Sequence, residues 1–332
     1  MTTATARPPI DPEIARALTE QADVVVTGLH ADEIAGIRDR APAPDLDAAT
    51  LDGTFALTEH AVPARGAAPP VPLVVLRPPA TDAPPPVLLH LHGGGLVAGT
   101  AYDDLAWAAE LAHATGCAVV SPDYRLAPEH PYPAAVDDAY AAFEWVSGHA
   151  DSLGLDGDRV VLAGVSAGAG LAAATALLAR DRGGPRALGM LLVCPLLADR
   201  NASHSAHQMA GHGSWDRSAN ATGWHAYLPG RAGGDDVPAY ASPARAEHLG
   251  GLPPAFVDVG SAETFRDEDV ELARRIWADG GEAELHVWPG GVHGFDFLAP
   301  GAELSGRARA ARVGWLQRLL AAPPEGDPAS GT

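Results

Sequence analysis

The order of apolar segments along the chain is the feature that most restricts its fold. From residue 71 onward, seven short apolar runs alternate with longer alanine-rich segments: VPLVVLRP, PPVLLHLH, CAVVSPDY, RVVLAGVS, LGMLLVCPLL, PAFVDVGS and AELHVWPG. The helix-like segments among them are 105–115, 133–149, 169–182, 267–279 and 308–321. Parallel strands need crossover connections that cover both faces of a sheet. The pattern therefore predicts an α/β fold with a mostly parallel central sheet and helices on both faces.

Two segments depart from this alternation. They are residues 1–48 and about 200–246, of which the second is polar and aromatic with glycine clusters. A long excursion after a strand is more often a lid or binding loop than an inert connection. We therefore expect an N-terminal cap segment (1–48), a main α/β domain (49–322) with a helical cap insertion, and a disordered tail (323–332).

The charge balance excludes one class of partner. Forty-two acidic residues oppose 22 basic ones, all of them Arg, for a net charge of −20. This field repels polyanions, so nucleic acid is not an expected partner. No run is long enough to span a membrane and the N-terminus lacks a signal-peptide pattern, so we expect a cytoplasmic protein without a membrane partner. Cys117 and Cys194 fall in apolar runs and are expected to be buried free thiols.

The segment GVSAG, residues 164–168, lies between a predicted strand and a predicted helix. A serine hydroxyl is a weak nucleophile unless a histidine takes its proton, and that histidine needs an acid. His293 follows the last predicted strand and Glu263 follows the strand before it. The order Ser166, Glu263, His293 is that of serine hydrolases with a strand–turn–helix nucleophile. Asp267 is the alternative acid, although its position at a helix start favours a structural role.

A glycine-rich run precedes this serine. HGGG, residues 92–95, directly follows a predicted strand. Consecutive glycines allow backbone N–H groups to point at a developing oxyanion without a Cβ in the way. The run could instead be a tight turn or a phosphate nest, but it lacks the Lys and Ser/Thr of a phosphate loop. We expect His92 to orient the loop, because a second base beside the nucleophile is redundant.

Four sequence blocks together resemble the hormone-sensitive-lipase-like (bacterial family IV) carboxylesterases of the α/β-hydrolase fold. They are HGGG at 92–95, DYRLAPEHPYPAAVDDAY at 123–140, GVSAG at 164–168, and SAETFRDE with HGF at 261–268 and 293–295. The resemblance implies the α/β-hydrolase fold and a catalytic triad formed by Ser166, Glu263 and His293.

The resemblance also implies an oxyanion hole formed by the backbone N–H groups of Gly94, Gly95 and Ala167. Two positions depart from the family pattern. Val165 stands where the family commonly has Asp, which removes any polar contact of that Asp. Glu263 stands where the family commonly has Asp, and a Glu can orient the imidazole from one methylene further away.

The cap insertion contains three aromatic residues that invite two interpretations. Trp215, Trp224 and Tyr227, with Val165, could line the acyl or alcohol pocket. The three aromatic residues could equally pin the cap to the main domain. The sequence favours neither interpretation.

The insertion also contains four histidines, which suggest a metal site: His204, His207, His212 and His225. They lack Cys or clustered carboxylates at ligand spacing, so we expect them to be surface residues. The predicted chemistry requires neither a metal nor an organic cofactor.

The sequence therefore predicts a serine carboxylester hydrolase that acts on small-molecule esters, with short acyl chains or small lactones implied by the resemblance. One alternative is an amide or acetyl-group hydrolase with the same triad. The other is a receptor on this fold that has lost catalysis, although such proteins lose the base and His293 is present. The resemblance also implies a possible homodimer through the last strand and helix.

Overall fold

The structure is a computed structural model that describes residues 6–66, 68–80 and 82–322. Its centre is an eight-stranded sheet in the order β1-β2-β4-β3-β5-β6-β7-β8. The strands are β1 (Ala56–Val62), β2 (Val71–Arg77), β3 (Pro86–Leu91), β4 (Ala118–Pro122), β5 (Asp156–Val165), β6 (Gly189–Val193), β7 (Ala255–Gly260) and β8 (Ala283–Trp288). Of the described strands, β2 runs opposite to the other seven. The mostly parallel sheet predicted from the sequence is confirmed.

All seven predicted strands are present, and β1 is the strand that the sequence analysis missed. This strand lies at the edge of the sheet, and Val62 is its only buried residue. Among the described residues β1 has a strand neighbour on one side only, and most of its side chains are exposed or half-buried. It therefore needs no run of apolar residues, so periodicity gives no signal for it.

The helices cover both faces of the sheet, as predicted. They are α1 (Pro12–Glu20), α2 (Ile34–Asp39), α3 (Leu46–Thr50), α4 (Leu105–Thr115), α5 (Ala134–Leu153), α6 (Ala167–Arg182), α7 (His204–Gln208), α8 (Arg217–Tyr227), α9 (Arg266–Ala278), α10 (Phe295–Leu298) and α11 (Glu303–Ala321). Apolar residues of α5, α6 and α9 pack in one core cluster, and those of α4 and α11 pack in a second. Leu89 belongs to the first cluster and its chain neighbour Leu88 to the second, so the two clusters lie on opposite faces.

A buried ion pair joins the two ends of the predicted cap insertion. Asp199 precedes α7, Arg245 ends the 3₁₀ turn that closes the insertion, and the two side chains meet at 2.7 Å. Asp199 also accepts the Gly233 N–H at 2.7 Å. Burial alone would raise the pKa of Asp199, but these hydrogen bonds and one with Ser242 outweigh burial and lower the pKa.

The N-terminal segment lies against the insertion. The N–H groups of Trp215 and Asp216 donate to the carbonyl oxygens of Val26 and Thr27, each at 2.7 Å. Thr222 Oγ1 donates to the Leu29 carbonyl at 2.6 Å. The two segments that break the alternation in the sequence are thus in direct contact.

Three further sequence predictions concern the termini and the cysteines. The predicted disordered tail, 323–332, lies outside the described residues. No helix within the described ranges is long and apolar enough to cross a membrane. Cys117 and Cys194 are both buried and free, as predicted.

The turn between β5 and α6 brings the nucleophile segment against the oxyanion loop, residues 92–95. Ser166 has φ 79° and ψ −107°, a left-handed conformation typical of a strand–turn–helix nucleophile. The turn is tight because glycines flank it. A Cβ added to Gly168 would lie 1.9 Å from the Leu91 carbonyl oxygen, and one added to Gly164 would lie 2.4 Å from Gly168. The two glycines are therefore required by close backbone approach.

We predict that Gly168→Ala destabilises the protein by about 3 kcal/mol or more, since the clash is with backbone that cannot move aside. Gly148→Ala is the matched control, because Gly148 is an exposed residue of α5 and an added Cβ meets nothing there. This control should stabilise by about 0.5–1 kcal/mol. Urea unfolding followed by circular dichroism measures both. Equal stability of the two variants would contradict the tight packing of the turn.

We predict that Arg245→Ala destabilises the protein by about 3–5 kcal/mol, because it leaves the Asp199 carboxylate buried and unpaired. Arg274→Ala removes an exposed pair with Glu271 and should leave the melting temperature unchanged. Thermal unfolding of both variants is the measurement. The same melting temperature for wild type and Arg245→Ala would show that the ion pair does not hold the ends of the insertion.

Candidate active site

Two loops bring the predicted nucleophile and base together. Ser166 lies between β5 and α6, and His293 lies between β8 and α10. Ser166 Oγ is 2.9 Å from His293 Nε2, which is hydrogen-bond distance. Only 5% of Ser166 is exposed, so its hydroxyl is largely shielded from water.

The predicted acid completes a chain of hydrogen bonds. Glu263 follows β7, and its Oε1 accepts a hydrogen bond from His293 Nδ1 at 2.5 Å. Its Oε2 accepts the Gly260 N–H at 3.0 Å, so both carboxylate oxygens are occupied. With the proton on Nδ1 facing Glu263, the lone pair of Nε2 faces Ser166 and can take its proton.

The alternative acid has a different environment. Asp267 lies in the first turn of α9, where its Oδ2 accepts the Ser205 N–H at 2.7 Å and its Oδ1 pairs with Arg266. These contacts hold α9 against α7. They fit the structural role that its helix-start position suggested.

The oxyanion loop has the backbone conformation that its glycines allow. Gly94 and Gly95 have φ values of 109° and 63°. Within the described ranges, the N–H groups of Gly94, Gly95 and Ala167 donate to no protein acceptor. Ala167 is the first residue of α6, so the positive end of the helix dipole adds to its N–H. The prediction assigns these three free donors to the stabilisation of an oxyanion.

Buried side chains support this loop from below. Asp104 accepts the Gly93 N–H at 3.1 Å, and burial raises the pKa of Asp104 to about 6. His92 stacks on Tyr124 at 4.1 Å between ring centroids, and its Nδ1 bonds with the Gly93 carbonyl at 2.7 Å. Burial lowers the pKa of His92 to about 3, so its ring is neutral. The sequence analysis missed Asp104, because a lone Asp at the start of a helix carries no distinctive signal.

The three aromatic residues of the insertion occupy different positions. The Trp215 ring packs directly on the oxyanion loop, since a Cβ added to Gly95 would lie 2.2 Å from Trp215 Cη2. Trp224 and Tyr227 are each 1% exposed, and Tyr227 contacts Tyr132 edge-to-face at 5.8 Å. Trp215 therefore stands beside the reacting groups, whereas Trp224 and Tyr227 attach α8 to the main domain.

Val165 is not brought together with these aromatic residues. Its side chain is buried in the core cluster that contains Trp107 and Phe256, whereas Trp215 belongs to the cluster on the opposite face of the sheet. The apolar residue at this position thus packs beneath the nucleophile turn.

One short segment of the insertion contacts the loops that carry His293, Glu263 and Gly95. Ser214 Oγ donates to the His293 carbonyl at 2.5 Å, and Thr264 Oγ1 donates to the Trp215 carbonyl at 3.0 Å. With the Trp215 ring on Gly95, these contacts link the His, acid and oxyanion loops. Sequence reasoning missed Ser214 and Thr264 because their partners are distant in the chain.

Acidic groups surround the rear of the triad. Burial raises the pKa of Glu268 to about 8, although its Oε1 accepts the N–H groups of Leu197 and Ala198. Burial likewise raises the pKa of Asp269 well above its ordinary value, and neither of its oxygens has a hydrogen-bond partner among the described residues. Glu263 differs from these two carboxyls in its position, because its Oε1 faces His293 Nδ1.

Among the described residues, one group of three side chains is close enough to share a metal ion, and it consists of Cys194, Glu263 and His293. The four histidines of the insertion are not part of it. This group includes two members of the predicted triad.

Comparison with known proteins agrees with this geometry. A family profile described as alpha/beta hydrolase fold matches residues 88–297. The chain is 35% identical over 298 residues to Esterase LipI of Mycobacterium tuberculosis, covering 88% of this chain and 90% of the relative. It is 38% identical over 260 residues to Carboxylesterase NlhH of the same species, covering 75% and 79%.

A solved structure has the same fold over nearly the whole chain. Bacterial Heroin Esterase superposes with a TM-score of 0.85 at 34% identity, covering 94% of this chain and 98% of that one. The chain therefore belongs to the hormone-sensitive-lipase-like carboxylesterase family of the α/β-hydrolase fold, as its four sequence blocks predicted.

Proposed function

We propose that the protein is a serine carboxylester hydrolase that cleaves short-chain acyl esters or small lactones through an acyl-enzyme on Ser166. The observation that carries the proposal is the chain of hydrogen bonds from Ser166 through His293 to Glu263. Relatives named esterase and carboxylesterase support the same reaction class.

Acylation uses the three side chains and the free N–H groups together. Ser166 Oγ bonds to the ester carbonyl carbon while its proton passes to His293 Nε2. The carbonyl oxygen becomes an oxyanion, and the N–H groups of Gly94, Gly95 and Ala167 stabilise it. The carbon–oxygen bond to the alcohol then breaks, and His293 returns the proton to the leaving oxygen.

Deacylation repeats these steps with water. His293 Nε2 takes a proton from the water as its oxygen bonds to the acyl carbon, and then gives the proton back to Ser166 Oγ as the acid leaves. Glu263 stabilises the imidazolium in both halves and keeps the ring orientation fixed. Every proton in this cycle is held by a side chain of this protein, so the mechanism needs no cofactor.

The position of Trp215 supports a small acyl group. Its ring packs on Gly95, and its backbone is held by Val26 and Thr264, so it cannot easily move away. The N-terminal segment contacts the insertion, and the two together form the cap over Trp215 and the oxyanion loop. A buried, apolar wall beside the oxyanion loop favours short chains over long ones.

The two alternatives have less support. An amide or acetyl-group hydrolase would use the same triad, and no contact of the described residues favours it. A non-catalytic receptor would need no base within hydrogen-bond distance of the serine, whereas His293 stands 2.9 Å away.

Two further expectations concern the oligomeric state and the cellular location of the protein. For a homodimer through the last strand and helix we propose the outer edge of β8, which ends the sheet order of the described residues and beside which Trp277 and Val287 are 49% and 37% exposed. The cytoplasmic location stays a prediction from the sequence.

We predict that Ser166→Ala lowers kcat for p-nitrophenyl acetate by about 10³-fold or more, because no other group can form the acyl-enzyme. The circular dichroism spectrum and melting temperature should not change. In the wild type, a series from acetate to decanoate should give the highest kcat/KM with a short acyl chain. Equal rates in wild type and Ser166→Ala would place the reaction elsewhere.

We predict that Glu263→Gln lowers kcat by about 10³–10⁴-fold, because a neutral amide cannot stabilise the imidazolium. Asp267→Asn is the matched control, and its kcat should stay within a few fold of the wild type. The measurement is kcat for the same ester at saturating concentration. A large loss in Asp267→Asn with little loss in Glu263→Gln would reverse the assignment of the acid.

A further inference from the structure

We propose that the triad, together with Cys194, is an inhibitory binding site for a thiophilic divalent cation, for which Zn²⁺ is the probe. The proposal rests on the proposed function, because two of the ligands are the catalytic His293 and Glu263. One ligand atom of each of Cys194, Glu263 and His293 lies within 4.8 Å of the other two. A thiolate, a carboxylate and an imidazole are all common zinc ligands.

The geometry is close to that of a zinc site. Zinc lies about 2.0–2.3 Å from its ligand atoms, so the ligand atoms of a tetrahedral site are about 3.3–3.7 Å apart. The 2.5 Å contact of Glu263 with His293 must therefore open, and the thiol must approach by a similar small distance. Cys194, Glu263 and His293 follow β6, β7 and β8, which are neighbouring strands. The three ligands thus come from one edge of a rigid sheet.

The charges of the site also favour a divalent cation. The Cys194 thiolate and the Glu263 carboxylate carry two negative charges and a neutral imidazole carries none, so the zinc complex has no net charge. This balance matters because an unpaired charge in a buried place is costly. Burial raises the pKa of the Cys194 thiol well above its ordinary value, so the thiol loses its proton only as its sulfur binds the cation. The neighbouring Asp258 is already paired with the buried Arg312. Both Asp269 oxygens lack a hydrogen-bond partner among the described residues.

Zinc in this place blocks the first proton transfer. The Cys194 S–H bond breaks as the S–Zn bond forms, and the thiol proton leaves to solvent. Zinc takes the position between Glu263 Oε1 and His293 Nδ1, so the single imidazole proton moves from Nδ1 to Nε2. Nε2 then points a proton at Ser166 Oγ and cannot accept one. The serine loses its base, while the fold is unchanged.

The second cysteine of the chain provides a matched control. Cys117 is also buried and free, and its Sγ accepts a hydrogen bond from Thr115 Oγ1 at 3.3 Å. It is outside the one three-ligand group found among the described residues. Loss of this thiol should leave the response to zinc unchanged.

The first experiment titrates zinc chloride into wild type, Cys194→Ala and Cys117→Ala during hydrolysis of p-nitrophenyl acetate, in a buffer that does not chelate metals. Each rate is expressed relative to the rate of the same variant without zinc. Half-inhibition of wild type and Cys117→Ala should occur at the same zinc concentration, with EDTA restoring activity. Cys194→Ala should need at least about tenfold more zinc. Equal sensitivity of all three proteins would overturn the proposal.

The second experiment measures bound zinc directly, by equilibrium dialysis followed by elemental analysis. Ser166→Ala should bind zinc as the wild type does, although it is inactive, and Cys194→Ser should bind much less. Cys194→Ser keeps the side-chain volume and serves if Cys194→Ala does not fold. Undiminished zinc binding by Cys194→Ser would overturn the proposal. If Ser166→Ala retained activity, the proposed function would be overturned instead. The zinc measurement would still test the metal site, because it does not depend on activity.

Discussion

The approach of Gly168 to the carbonyl oxygens of Leu91 and His92 is the contact on which the rest of the site depends. It allows the first turn of α6 to lie directly against the end of β3, where the oxyanion loop begins. Ser166 is held in its left-handed conformation on one side of this contact, and the N–H groups of the loop lie on the other. A side chain larger than hydrogen at Gly168 would push Ser166 away from the N–H groups of the oxyanion loop. Because the backbones are packed this closely, the turn has no room to adjust.

The cap adds a second set of constraints from outside the sheet. The segment around Trp215 contacts the His293 loop, the loop that carries Glu263 and Gly95 of the oxyanion loop. The N-terminal segment holds the backbone of Trp215 in turn, through Val26. In the proposed mechanism the reacting groups must keep their positions closely during acyl transfer. The segment around Trp215 helps to fix them, although it takes no part in the proposed chemistry.

The electrostatics of the site follow from burial and pairing. Several carboxyls lie behind His293, and Glu263 is the one whose Oε1 faces the imidazole while its Oε2 accepts the Gly260 N–H. Glu268 has N–H donors and no cation, and burial raises its pKa to about 8. Asp269 has neither donor nor cation among the described residues. In the proposed mechanism the Glu263 carboxyl group is thus the acid placed to stabilise the imidazolium, and the proposed cation site uses the same group together with the Cys194 thiol.

The sequence by itself determined the sheet and the two helical layers, and it named Ser166, Glu263 and His293 as the candidate triad, because these depend on local patterns. Apolar runs predict buried strands, and GVSAG with HGGG defines a turn and a loop whose glycines serve backbone geometry. Tertiary structure alone decided which acid faces His293, since Glu263 and Asp267 both lie shortly after β7 in the chain. It also decided that Trp215 lies on Gly95 while Val165 packs on the opposite face, and that Cys194 lies beside the triad. These relations join residues far apart in the chain, and no local periodicity or spacing encodes such distances.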